Sequence, residues 1–128
     1  MKIQKFEDMK VWQDSRAFVK TTYQLTAKPK FKKDFSLRDQ IQRAAVSIMN
    51  NIAEGYERDS NTEFIRFLLY SKGSSGEVRS LLYVAHDLEY ITEDEFNKHS
   101  ETVSLISKQL ANFIKYLRER NKTKRKSS

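Results

Sequence analysis

Residues 40–55 read QIQRAAVSIMNNIAEG. Ile41, Ala44, Ala45, Ile48 and Ile52 fall three, one, three and four positions apart, which is one face of an α-helix. Ala44, Ala45 and Ser47 are small, so this face can lie close against a neighbouring helix. Gly55 then predicts the stop, because glycine takes the left-handed conformation of a helix C-terminus without strain.

Upstream, Val11, Ser15, Phe18, Thr22 and Leu25 form a second helical stripe, with Trp12, Val19, Tyr23 and Thr26 beside it. This predicts a helix over about 9–27 with Asp8 as its N-cap. Trp12 is read as a packing anchor of that stripe. The segment KPKFKKD, residues 28–34, breaks the pattern, since Pro29 cannot continue the helix. It reads as a basic loop carrying Lys28, Lys30, Lys32 and Lys33. Ser36 to Asp39 resembles a capping box and predicts the organising helix over about 37–54.

Downstream, Ser60-Asn61-Thr62-Glu63 is a capping box for a helix over about 61–90. Its face runs through Phe64, Phe67, Leu68, Ser71, Ser75, Val78, Leu81, Leu82, Ala85 and Leu88. Gly73 and Gly76 lie inside it, and each costs about 1 kcal/mol relative to alanine. Close helix contact is the expected reason for them. A glycine-rich phosphate loop is the rival reading, but no strand precedes it and the GxxxxGK[ST] pattern is missing. Thr92 to Glu95 is a further capping box. Phe96, His99, Val103, Ile106, Leu110, Phe113 and Leu117 then step alternately by three and four, a heptad seam over about 93–118. Residues 121–128, NKTKRKSS, hold no apolar side chain, so 118–128 is expected to be a disordered basic tail. Four helices with short connections predict an all-α, antiparallel up-down-up-down four-helix bundle over 1–117.

Composition agrees with helices: the 128 residues include three Gly and one Pro, which starves the chain of β-turn residues. With no Cys, disulfides and thiolate chemistry are excluded. No segment reads as a signal peptide or membrane span, so a cytoplasmic protein is expected. The net charge of +7 is unevenly spread. Residues 1–35 hold nine Lys/Arg against four Asp/Glu, 36–117 nine against twelve, and 118–128 six against one. The basic charge therefore sits at the two chain ends, which points to a polyanion partner or, alternatively, to a simple aid to solubility.

Several residues also carry a resemblance: Phe6, Val11 and Trp12, then Leu37, Gln40, Ile41, Arg43 and Ala44, the run Ser47-Ile48 with Asn51-Ile52-Ala53-Glu54-Gly55, and Phe64, Phe67, Leu68, Gly73, Ser74 and Glu77. Over roughly residues 5–117 the chain resembles the small helical-bundle family first noted as proteins encoded in 23S rRNA intervening sequences. It departs from the family at Met49, where proline is frequent. The resemblance implies a cyclic homo-oligomer, with a pentamer as the expected state. It also implies a relation to the accessory proteins of diversity-generating retroelements, which bind nucleic acid and a reverse transcriptase.

Catalytic constellations are not found. The two histidines, His86 and His99, do not stand three after a Glu as a di-iron bundle requires, and no serine is marked by a base and an orienting acid. No enzyme, cofactor or metal site is expected. Glu54, Glu77, Arg43 and Arg79, together with Trp12 and Gly73, are read as structural or interface residues, the charged ones pairing between copies of a ring. Candidate contacts to RNA or DNA phosphates are Lys28, Lys30, Lys32, Lys33, Arg118, Arg120, Lys122, Lys124, Arg125 and Lys126. A protein–protein interaction scaffold with no nucleic-acid role is the alternative.

Overall fold

Ile41, Ile48 and Ile52 are fully buried, and Ala44 and Ala45 lie among them, so the apolar spacing of residues 40–55 does define an inward face. The computed structural model describes residues 4–127, with side chains through residue 123. The described residues are all helical, with no strand: a 3-10 turn at Phe6–Asp8, then α1 (Lys10–Thr26), α2 (Pro29–Lys33), α3 (Phe35–Tyr56), α4 (Asn61–Asp87) and α5 (Glu93–Ser127). α3 packs most extensively on α4, α4 on α5 and α1 on α3, while α1 meets α5 only sparsely. Phe18 and Phe31 join Leu68, Val78, Leu82, Val103, Ile106 and Leu110 in one continuous core. Each such side chain contributes about 1.5–3 kcal/mol by leaving water.

The seam between α3 and α4 is close and partly polar. Ser71 is buried and its hydroxyl donates to the Ile48 carbonyl at 2.6 Å. Ser74 donates to the Ser47 hydroxyl at 2.9 Å, and Asn51 Nδ2 donates to the same hydroxyl at 2.9 Å. Gly55 lies within α3 and does not adopt a left-handed conformation, contrary to the expectation that it ends the helix for that reason. Its role is steric. A Cβ at position 55 would stand 2.8 Å from Phe67 Cβ and 2.9 Å from Phe64 Cδ1. Gly73 and Gly76 correct the opposite expectation: a Cβ at either would meet nothing within 4 Å, so contact within the chain does not explain them. The left-handed residue is Glu89, with φ of 61°. There Tyr90 N–H donates to the Ala85 carbonyl at 2.9 Å and Glu89 N–H to the His86 carbonyl at 3.0 Å, a Schellman ending for α4.

Helix starts differ from the sequence reading in three places. Asp8 does not cap α1; it belongs to the 3-10 turn, and Met9 takes the cap position because its side chain is drawn into the core. Ser36 does not cap α3; the Asp34 carboxylate accepts the Leu37 N–H at 3.1 Å and the helix begins at Phe35. Residues 29–33 are not a loop but α2, with Pro29 in the first turn, where its missing N–H has no helical partner to lose. The box at Ser60 is half formed: Ser60 Oγ accepts the Glu63 N–H at 3.1 Å, but Glu63 grips Arg66. The box at Thr92 is complete, Thr92 N–H to Glu95 Oε1 at 2.8 Å and Glu95 N–H to Thr92 Oγ1 at 3.1 Å.

α5 does not stop near residue 118 ahead of a disordered tail. It continues to Ser127, since no Gly or Pro interrupts the segment and cations complement the negative end of a helix dipole. On α5 the heptad seam drifts, so that Ile114 is buried where Phe113 is only partly covered.

Gly55→Ala is expected to lower the unfolding free energy by about 1–3 kcal/mol, because the added methyl meets Cβ and ring atoms that cannot swing aside. Urea denaturation measures it, and a variant as stable as the parent would refute the steric role assigned to Gly55.

Candidate nucleic-acid interface

The sequence of α2 alternates its chemistry within one turn. Phe31 is fully buried and stacks at 5.4 Å from the Tyr90 ring, which leaves Lys30, Lys32 and Lys33 exposed. Tyr90 in turn donates its hydroxyl to Asp34 Oδ2 at 3.0 Å. That bond raises the Tyr90 phenol above its usual range. Lys28 is the exception among the candidate cations. Its ammonium pairs with Glu95 at the start of α5 and is half-buried there. Lys30, Lys32 and Lys33 make no ion pair among the described residues.

Just beyond α2 stand two residues that the charge reading passed over. Phe35, at the first position of α3, is 65% exposed. The Arg38 guanidinium lies 4.8 Å from the centre of its ring. Arg38 is held there by Nη1 donating to the Lys32 carbonyl at 3.2 Å and Nε to Asp39 Oδ1 at 3.0 Å. The signal was present in the sequence as aromatics interleaved with lysines in KFKKDF. What it lacked was any way to tell buried Phe31 from exposed Phe35.

The second basic cluster lies at the other end of α5. Arg118, Arg120 and Lys122 are exposed, and Arg120 Nη1 donates to the Tyr116 hydroxyl at 3.2 Å. Lys124, Arg125 and Lys126 have side chains outside the described residues. Glu95 pairs with Lys28, the residue just before α2, so at about 1.5 Å per residue this cluster stands roughly 35 Å away along α5. Asn121 reaches Thr62 at 3.5 Å, which puts Arg66 near the same end. Arg66 and Arg58 both sit over the Phe67 ring, at 5.2 and 4.7 Å.

Trp12 is buried edge-on to Phe6 at 5.2 Å. Arg43 and Glu54 on α3 and Glu77 and Arg79 on α4 are exposed and make no ion pair among the described residues, and Gly73 on α4 is exposed too. A groove of about 870 Å³ separates α1 from α5, floored by Phe18, Leu25 and Ile106. Gln109 bridges it to Asp14 at 2.9 Å. Burial pushes the Asp14 carboxyl up, but the bonds from Lys10 and Gln109 outweigh it and hold the group below its usual value. His99 stands on the groove wall with Nδ1 2.9 Å from the Glu95 carbonyl. Among the described residues no three His, Asp or Glu side chains converge on a metal position, and no helix is long and apolar enough to cross a membrane.

Residues 7–112 match the family model described as 23S rRNA-intervening sequence protein. The chain belongs to that family. The intervening-sequence protein match takes in α2, Phe35 and the α3–α4 seam and ends before Arg118. The chain is also similar to the crystal structure of a protein of unknown function from Bacteroides thetaiotaomicron, assigned to the S23 ribosomal protein family. The two share 27% identity at a TM-score of 0.76, over 82% of this chain and 98% of that one. No curated protein matches the chain.

The ion pair at the base of α2 gives a pH signature. The Lys28 ammonium, helped by the Thr92 N–H, holds the Glu95 carboxyl below its usual 4.5. A depressed folded-state value means the contribution is complete above the unfolded value and fades as pH falls through the folded one. Acidification from about pH 6 to about pH 3 should therefore destabilise the parent more than Glu95→Gln. Equal losses in urea titrations at the two pH values would refute this coupling.

Proposed function

We propose that the protein is a non-enzymatic, homo-oligomeric helical bundle that binds nucleic acid through basic rims, without sequence preference. The carrying observation is the trio Lys30, Lys32 and Lys33, exposed and unpaired on a buried anchor, with Arg118, Arg120 and Lys122 forming a second cluster at the far end. In this reading α1, α3, α4 and α5 run alternately up and down as an antiparallel four-helix bundle, with α2 as a strap across one end. Contacts are to phosphates, so binding is salt-sensitive.

The second component is assembly, with a pentamer as the expected state. Gly73 and Gly76 lie on an exposed face of α4 with Leu69, Tyr83 and Val84, which are 44%, 58% and 41% exposed. Small residues between exposed apolar ones suit close approach of a second copy, and a ring would multiply each basic end. Exposed Arg43, Glu54, Glu77 and Arg79 are available to pair across the ring. In this reading the protein works in the cytoplasm, and the relation to retroelement accessory proteins that the family resemblance implies would put it beside a polymerase, such as a reverse transcriptase, or an RNA-processing partner. The same apolar face favours the second reading, a scaffold for other proteins.

Fluorescence anisotropy against structured RNA and duplex DNA tests the first component. Affinity should fall steeply with salt, and replacing Lys30, Lys32 and Lys33 by alanine should reduce the logarithmic salt slope by about two to three. Removing 118–128 takes away six cations and should weaken binding further, while sparing the core, since Leu117 is the last buried residue described. No binding at low salt would eliminate the reading. Light scattering tests the second. In a lone chain Gly73→Ala and Gly76→Ala would stabilise by about 1 kcal/mol each. In an assembled one they should shift the protein towards monomer, and a parent that is already a monomer would end the ring model.

A further inference from the structure

We infer that Phe35 is a stacking platform for an unpaired base, so that the end of the bundle carrying α2 takes single-stranded nucleic acid in preference to duplex. The inference rests on the nucleic-acid reading above and narrows its ligand. An exposed phenylalanine at the first position of a helix contributes little to folding: α3 is already started by the Asp34 cap and buried through Leu37. Yet Phe35 is 65% exposed, more than any other large apolar side chain described. It forms one wall of a concavity of about 510 Å³ completed by Ala27, Pro29, Lys32, Lys33 and Arg38.

The charges around the ring complement a strand of nucleotides. Lys32 and Lys33 line the same concavity with no ion pair among the described residues, which leaves both ammonium groups for the phosphates of a bound strand. The Arg38 guanidinium lies 4.8 Å from the ring centre, and its two hydrogen bonds hold it there before any ligand arrives. A base that enters would therefore find a guanidinium already placed beside the ring, with less side-chain entropy left to lose. The nearby carboxylates are engaged: Asp34 accepts from Leu37 N–H and the Tyr90 hydroxyl, and Asp39 accepts from Arg38. Duplex buries its base faces in its own stack and offers only phosphates to this site. Every base has a π-face, so the platform is tolerant of sequence, and RNA and DNA strands share the chemistry it reads.

The test uses the full chain and anisotropy titrations of labelled oligouridine, oligothymidine and a duplex of matched phosphate count. Phe35→Ala should weaken both single strands about tenfold and leave duplex affinity and the salt slope unchanged. Phe35→Trp should keep the parent's affinity. A 2-aminopurine placed in the strand should be quenched on binding the parent and not on binding Phe35→Ala. If Phe35→Ala binds single strands as the parent does, while binding stays salt-sensitive, the platform is refuted and the phosphate reading stands. If no oligonucleotide binds at low salt, both fall.

Discussion

Everything in this fold hangs from the close approach of α3 to α4. Gly55 permits it, because any Cβ there would collide with Phe67 and Phe64. Ala44 and Ala45 keep the same face low, and Ser71 reaches across to the Ile48 carbonyl. Ser71 is a polar residue in a core, and it needs a partner to be tolerated there. It has this one only while the two helices stay close. Packing of α5 on α4 then follows, with Phe113 edge-on to Phe64, and α1 closes over α3.

How much of this was legible depended on the range of the interaction. Periodicity is local, so Ile41 to Ile52 and Val103 to Leu110 announced their buried faces correctly, and the α5 reading drifts only at Phe113, where Ile114 is buried instead. The Thr92–Glu95 cap was equally local and is present in full. Pro29 was misread because proline ends one helix and begins another with equal ease, and only the burial of Phe31 decides between them. Gly55 was placed rightly on the chain and explained wrongly, since the atoms that exclude a side chain there belong to α4. The long continuation of α5 was hidden by a composition that reads as tail but holds no helix breaker.

The candidate interface was legible as charge and not as geometry. Counting lysines found both basic ends, but nothing in the count showed that Lys28 is spent on Glu95, which lies 67 positions away. Nor did it show Arg58 and Arg66 stacked on Phe67, or that Arg38 holds a ring in the open. Electrostatic candidates read from sequence are therefore an upper bound. Folding neutralises some and adds others from segments whose local charge is balanced.

The short helix α2 is pinned at both edges, by Lys28 on Glu95 and by Phe31 beneath Tyr90. A protease that cuts after lysine must draw several residues of backbone into an extended form. The lysine-rich segment of this chain therefore resists such cutting for as long as both pins hold. Its cleavage rate reads the opening of that one end of the molecule, not the melting of the whole.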